Sequence, residues 1–339
     1  MTMDILIIGG TRNLGHLLTY RLLEAGHRVT VFNRGQTPDE LPDGVTRLRG
    51  DRSDAAQLKQ ALSGRFFDAV VDTTLYNGPD AQSVTEILKG RVGSYVFIST
   101  GQVYLVRLGL PRPFKEEDYA RGEAMVAPPA ENIFDYENWL YGVDKRAAED
   151  VLATAWAERQ FPFVSLRLPI VHSERDHFGR IYSYFLRLQD GGPILLPSGL
   201  RLPMRHIYVE DAVQAMMKVL EPGAWTGRAF NIAQDETLSL EEFLSLLAEV
   251  AGYSLRTVTV ERALLESHQL LPGCSPFSGL WMSEMDNYRS KVELELAYTP
   301  VRVYLEKLVT YYRTTPPSLP AGYQRRAEEL ELAALAKEI

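Results

Sequence analysis

Cysteine is almost missing from this chain of 339 residues. Cys274 stands alone, which excludes intrachain disulfides and cysteine-rich zinc sites and leaves a buried small apolar residue as its expected role. Also missing is any uninterrupted apolar run near the roughly 20 residues that span a bilayer, and the N-terminus shows no basic-then-apolar leader. The expectation is a cytoplasmic chain without a membrane partner. Basic residues are not in excess: 36 Lys and Arg against 44 Asp and Glu give a net charge of -8, which argues against a general nucleic-acid binder. The six histidines lack H-x-x-x-H or H-x-H spacing, so no metal site is expected. What remains is an ordinary globular composition, 45% hydrophobic and 24% charged, enough for one large or two modest domains.

The first stretch with a definite meaning is Ile5-Leu6-Ile7-Ile8 running into Gly9-Gly10-Thr11-Arg12-Asn13-Leu14-Gly15 and an amphipathic segment through Ala25. It reads as strand, tight turn, helix. Glycines let a diphosphate approach the main chain, and the helix N-terminus offers N–H groups and the positive end of its dipole. Leu14, Leu17, Leu18 and Leu22 keep helical spacing, Gly26 is placed to end the helix, and Arg28–Phe32 is a β-branched second strand. The unit is βαβ, and its expected ligand is a dinucleotide.

After the second strand comes Asn33-Arg34-Gly35, with no acidic residue to accept from the ribose hydroxyls. An Arg there accommodates a 2′-phosphate, and Arg12 flanks the same place from the glycine turn, so the expected cofactor is NADP, with NAD as the other member of the pair. Val45–Arg49 is a short third strand leading to Gly50-Asp51-Arg52; Asp51 is placed either to accept from the adenine amino group or to cap the helix starting near Asp54. Asp68–Asp72 is a fourth strand ending at Thr73-Thr74, and Ser94–Ile98 a fifth ending at Ser99-Thr100. Alternation of strands and helices predicts an open parallel sheet whose carboxyl ends converge on one crevice, making Asn13, Leu14, Asn33, Arg52, Thr73 and Thr74 cofactor-facing candidates.

From 104 to 137 the pattern breaks into a Pro-rich acidic stretch, of which 105–135 is a candidate lid. A helix is expected from Asp135 to Gln160. Within it Tyr141 and Lys145 lie four apart on one face. A phenol of pKa about 10 is a poor base at neutral pH, but an ammonium about 4 Å away offers roughly 4 kcal/mol at an effective dielectric near 20, enough to lower that pKa by as much as about 3. Tyr141 then reads as the acid/base, Lys145 as the group that lowers its pKa and holds the nicotinamide ribose, and Thr100 as the hydrogen-bond donor to a substrate oxygen.

Together these motifs resemble the extended short-chain dehydrogenase/reductase family, in its NAD-dependent epimerase/dehydratase branch. The resemblance rests on Gly9–Gly15, on Ile98-Ser99-Thr100-Gly101-Gln102-Val103-Tyr104 and on Tyr141-Gly142-Val143-Asp144-Lys145. It extends through Ser165–Pro169, His206–Asp211 and Gly227–Ala233, so that it runs from about residue 3 to 313. It implies a Rossmann-type doubly wound parallel sheet over 1–167 and a smaller mixed α/β substrate-binding part over 168–315 with segments returning to the core; beyond it, the residues themselves read as a C-terminal tail helix over 316–339. It places Pro169 beside the nicotinamide amide and brings Gln102, His172, Arg175, Tyr182, Arg201, Arg205 and His206 toward the substrate. In the tail, Leu330, Leu332, Leu335 and Ile339 are spaced to pack on the body or on a partner subunit of a homodimer.

The chain departs from the family pattern in three places. Arg12 stands where the middle glycine of G-x-x-G-x-x-G is usual, which with Asn33-Arg34-Gly35 resembles the subgroup of chloroplast stem-loop-binding proteins and their bacterial relatives. Thr100 and Tyr141 stand 41 positions apart, longer than usual. Met204-Arg205 replaces the Arg-Asp pair frequent in nucleotide-sugar enzymes. Apart from these three, Gly101-Gln102 follows Thr100 where a dehydratase needs carboxylates. The expected activity is NADP-dependent oxidation, reduction or epimerisation at a carbonyl or alcohol carbon of a sugar, nucleotide sugar or similar polyhydroxylated molecule. The rival reading is a non-catalytic NAD(P)-binding relative that binds RNA or senses redox state.

Overall fold

The computed structural model of the chain describes residues 1–37 and 40–336. In chain order the elements are β1 (Asp4–Ile8), α1 (Asn13–Glu24), β2 (Arg28–Asn33), β3 (Thr46–Arg49), α2 (Ala55–Ala61), β4 (Phe67–Asp72), α3 (Gly78–Ile87), β5 (Val92–Thr100), α4 (Gln102–Leu105), β6 (Arg107–Leu108), β7 (Glu123–Ala124), α5 (Ile133–Arg159) and β8 (Phe163–Leu168). There follow β9 (Val171–His172), α6 (Arg180–Gln189), β10 (Ile194–Pro197), β11 (Ile207–Tyr208), α7 (Val209–Lys218), β12 (Arg228–Asn231), α8 (Leu240–Ala251), β13 (Thr257–Val260), α9 (Arg262–Ser267), α10 (Tyr288–Glu293), α11 (Val301–Thr314) and α12 (Arg326–Leu335). Contacts divide them into two compact units. One comprises Met1–Val171, Val209–Ala233 and Met285–Ala297, and the other His172–Tyr208, Gln234–Glu284 and the chain from Tyr298 on.

The first unit is built on a seven-stranded sheet in the order β12-β8-β5-β4-β1-β2-β3, with neighbours parallel throughout. Ile5–Ile8, Val70, Val71, Val96 and Phe97 are fully buried, as strands covered on both faces require. Helices α3 and α5 pack together, as do α1 and α7. The chain runs outward from β1 to β3, then returns to β4 and proceeds the other way, so the topological switch point lies between β1 and β4. Register levels the strand ends there: Ile8 pairs with Phe32 and Asp72, and Asp72 with Phe97.

One sequence expectation changes within this unit. Helix α5 starts at Ile133 rather than Asp135, because the Asn132 side chain accepts from the Asp135 N–H and caps it; it ends at Gln160 in the left-handed region, φ 56°. The 105–135 stretch is largely tied down. Its strands β6 and β7 form an antiparallel pair, and Asn231 donates to the Glu116 carboxylate (2.9 Å) and the Phe114 carbonyl (2.9 Å). Tyr119 donates to Asp150 at 2.8 Å, and Arg146 donates to the Val103 carbonyl at 3.1 Å and to the Tyr119 carbonyl. These bonds join parts of the segment to β12 and α5.

In the second unit β10 and β13 form a two-stranded parallel sheet. Helix α8 is defined by a Ser239/Glu242 capping box and by Gly252 in the left-handed region. Helix α6 turns Ile181, Tyr182, Tyr184, Phe185 and Leu188 inward. Over 316–339, where a tail helix is expected, the described residues form a 3-10 turn, Ala321–Tyr323, followed by α12. Leu332 is buried with Cys274, Leu265 and Leu270, while Leu330 and Leu335 are exposed and Ile339 lies outside the described residues. Burial pushes the Cys274 thiol up to about 12, so it stays an unreactive thiol. None of the described helices is long and apolar enough to cross a membrane.

Candidate active site

At the C-terminal edge of β1 the chain must turn within van der Waals distance of its neighbours. Gly9 and Gly10 adopt φ of 108° and 91°, and a Cβ on Gly9 would lie 2.2 Å from Thr73 Oγ1. A Cβ on Gly15 would lie 2.6 Å from the Gly10 Cα, so only glycine lets α1 rest on the turn. The Asn13 Oδ1 is buried without a partner at the mouth of α1, whose first N–H groups have no intrahelical acceptor. Leu14, half-buried, is the helix's second residue. This glycine cradle at a helix N-terminus fits a dinucleotide diphosphate.

The cradle continues along the ends of β2 and β3. Arg12 is exposed at the N-cap of α1 and donates to Thr37 at 3.0 Å. Asn33 Oδ1 accepts from the Gly35 N–H (2.9 Å) and from the Arg49 guanidinium. Arg49 was not singled out in the sequence because it reads as an ordinary strand residue. Asp51 accepts from the N–H and hydroxyl of Ser53 and feels the charge of Arg34, which together hold its carboxyl below the usual range. The cap of α2 is Asp54, accepting from Ala56 and Gln57, which decides one of the two alternatives for Asp51 against it.

Arg52, a cofactor-facing candidate, is engaged by carboxylates of the same unit. Its guanidinium, nearly covered, donates to Asp72 at 3.0 Å and stands 3.8 Å from Asp80. Asp72 is fully buried and also accepts from Tyr95 (2.8 Å) and from the Thr74 N–H (2.9 Å) and hydroxyl (3.3 Å). Thr73 donates through N–H (3.1 Å) and hydroxyl (3.0 Å) to the Ile8 carbonyl, so the β4 end is locked to the glycine turn. Pro169 follows the end of β8 and is half-buried.

Thr100, Tyr141 and Lys145 come together beside these strand ends. The Thr100 hydroxyl lies beside the Tyr141 phenol and opposes the rise of its pKa, and the Gln102 N–H donates to Thr100 Oγ1 at 3.3 Å. Lys145 is buried and donates to the Leu75 (2.7 Å) and Ile98 (2.6 Å) carbonyls, its Nζ standing 4.6 Å from the Phe97 ring centroid, 5.2 Å from Tyr76 and 5.9 Å from Tyr141. Gly142 explains how α5 gets so close: a Cβ there would meet Val106 Cγ1 at 2.6 Å and the Gln102 carbonyl at 2.8 Å. Gln102 Nε2 donates to Asn138 one turn before Tyr141, at 2.6 Å.

The electrostatics differ from the simple lysine–phenol pair. Burial and the neighbouring Tyr76 push the Tyr141 phenol well up, opposed by Thr100, and the Lys145 charge does not depress it. The reason lies in Lys145 itself. Burial pulls its pKa down to about 7, against the pull of Asp72 and Glu149. Behind it, Glu149 is held by Arg167 (Nη2–Oε2 2.6 Å) and by the Ser99 hydroxyl, and Arg167 donates to Tyr104 at 2.6 Å. These buried charges on apolar strands and on an amphipathic helix carry no spacing motif, so the sequence reading passed over them.

The remaining candidates belong to the second unit. His172 Nε2 and His206 Nδ1 are 2.6 Å apart, both rings buried among Phe243 and Phe277. Tyr182 packs on Phe185 and Tyr312. Arg201 donates to the Pro197 carbonyl at 2.7 Å and pairs with Glu241, Arg205 donates to Thr237 at 2.6 Å, and Arg175 is exposed. Among the described residues no group of three or more His, Cys, Asp or Glu is arranged to hold a metal ion.

Known proteins accord with this architecture. A chloroplast stem-loop binding protein of 41 kDa (b form) from Arabidopsis thaliana is 28% identical over 265 residues, 74% of this chain and 63% of that protein's own length. A 2-alkyl-3-oxoalkanoate reductase from Stenotrophomonas maltophilia is 38% identical over 272 residues, 74% of this chain and 76% of the reductase. The fold is shared with the Bordetella bronchiseptica enzyme WbmG, solved in complex with NAD and UDP, at a TM-score of 0.72 and 20% identity, covering 93% of this chain and 96% of that one. The profile of the NAD dependent epimerase/dehydratase family matches residues 5–233, more than half of the sequence, and the chain belongs to that family of enzymes.

Proposed function

We propose that this protein is an NADP-dependent oxidoreductase of the reductase or epimerase type, acting on a carbonyl or alcohol carbon of a sugar, nucleotide sugar or similar polyhydroxylated small molecule. The observation that carries the reading is the placing of Thr100, at the end of β5, beside Tyr141, with Lys145 on the same face of α5, its Nζ 5.9 Å from the Tyr141 ring centroid. A bound nicotinamide cofactor supplies or accepts the hydride. Tyr141, kept protonated by burial, donates its proton to the carbonyl oxygen in the reductive direction, while Thr100 donates a hydrogen bond to that oxygen. Lys145 holds the nicotinamide ribose, and Arg12 and Arg34 receive a 2′-phosphate. Gln102, with its amide fixed by Asn138, faces the substrate. The reductase among the relatives supports the reductive direction, and the missing carboxylates after Thr100 argue against dehydration.

The test is Tyr141→Phe, assayed for NADPH oxidation against a panel of carbonyl substrates and for NADPH binding by fluorescence. Turnover should fall by at least about a thousandfold while binding stays within a few fold. Unchanged turnover refutes the proton role. Absence of binding to either NADPH or NADH in the unaltered protein would favour the non-catalytic reading suggested by the stem-loop binding relative.

A further inference from the structure

Among the described residues no carboxylate contacts Lys145. Its two partners are main-chain carbonyls, at the end of β5 (Ile98) and just beyond β4 (Leu75), and its Nζ lies over the Phe97 ring. Phe97 is the residue paired in register with Asp72, so the buried carboxylate and the ammonium flank the same position of the sheet. We infer that Asp72, held in place by Arg52 and Tyr95, is a positioning residue that supplies the negative charge against which Lys145 keeps its proton. The inference rests on the reading of Lys145 as the cofactor-holding cation and adds what sustains its charge.

Among the described residues, three charged groups act on Lys145: Asp72, Glu149 and Arg52. From its own helix comes Glu149, whose carboxylate is taken up by Arg167 through both oxygens. From the end of β3 comes Arg52, divided between Asp72 and Asp80; the two carboxylates and one guanidinium carry a net charge of about -1, which a protonated Lys145 balances. From β4 comes Asp72 itself, and the other near neighbours, Tyr76, Tyr141 and Phe97, are rings. Asp72 raises the Lys145 pKa more than Glu149 does, and Arg52 lowers it. Because burial brings Lys145 to about 7, a neighbouring charge decides its state at neutral pH.

The experiment follows Lys145 directly, in protein labelled with 13C at the lysine ε-carbons, its resonance assigned by loss in Lys145→Arg. Asp72→Asn keeps the shape and should move the midpoint of the Lys145 titration down by about one pH unit or more. Arg52→Gln should move it up. NADPH affinity in Asp72→Asn should fall about tenfold at pH 7.5 and return toward the unaltered value near pH 5.5, because the proton is restored there. A folding defect would not produce opposite shifts in two variants or recovery on acidification. A midpoint unmoved in folded Asp72→Asn, or a pH-independent loss of binding, overturns the inference; should that variant not fold, a midpoint unmoved or lowered in Arg52→Gln overturns it. Tyr141→Phe tests the catalytic reading separately, so the two can fail independently.

Discussion

Acidification should destabilise the second unit through one pair of side chains. His172 and His206 are 1% and 2% exposed, and the 2.6 Å Nε2–Nδ1 contact places one proton between two neutral rings. Burial lowers His172 far below the usual imidazole range, and lowers His206 to about 3, with Arg180 adding to both. In the unfolded chain both titrate near 6.5. Below that pH the unfolded state binds more protons than the folded state, so stability rises with pH and falls on acidification, down to about pH 3, where His206 protonates in the fold. Between pH 7.5 and 5.5 each histidine removes about 1.35 kcal/mol, and the pair about 2.7 kcal/mol. Urea unfolding at the two pH values measures the difference, and the same measurement on His172→Phe/His206→Phe removes the background of the carboxylates. The double variant should lose about 2.7 kcal/mol less over this interval. An identical loss in both proteins would refute the assignment of buried neutral rings.

Arg34→Ala should weaken NADPH about tenfold or more while changing NADH by less than about twofold, read by fluorescence titration; equal weakening of both would remove the 2′-phosphate argument. Glu329→Ala should destabilise the chain by about 3–5 kcal/mol, because Arg187, fully buried, would lose its carboxylate partner (Nε–Oε2 2.9 Å, Nη2–Oε1 2.5 Å). Combining it with Arg187→Met should recover most of that loss in urea unfolding, and no recovery would mean that the tail is held by something other than this pair.

How far the sequence could be read depended on the physical scale of each signal. Strands β1, β4 and β5 are continuous apolar runs, and the Gly9–Gly15 turn and Tyr141–Lys145 spacing are local, so each was visible in a short window. The capping of α5 by Asn132 was local too, but was obscured by the prolines before it. The tail was read by its leucines, although its buried contacts come mainly from Arg326 and Glu329, with Leu332 and Ala333. Asp72 was seen only as a strand end. Its partners Arg52, Tyr95 and Thr74 come from three segments, and a buried ion network of that kind has no period to detect.

Arg12 shows how a departure from a motif is interpreted once the backbone is known. Gly9 and Gly10 occupy positive φ, and Gly15 faces a main chain too close for any Cβ, so those three positions are required by the turn itself. Arg12, at φ -130° and ψ 152°, is in ordinary extended backbone that any side chain adopts. Replacing the usual glycine there leaves the path of the chain unchanged and adds a guanidinium at the N-cap of α1, near the end of β2, where Arg34 follows Asn33. The substitution therefore changes what the turn can hold without changing how it folds. On the proposed reading, the dinucleotide with a further phosphate would make use of both cations, and the departure from the glycine pattern and the absence of an acidic residue after β2 support that same proposal.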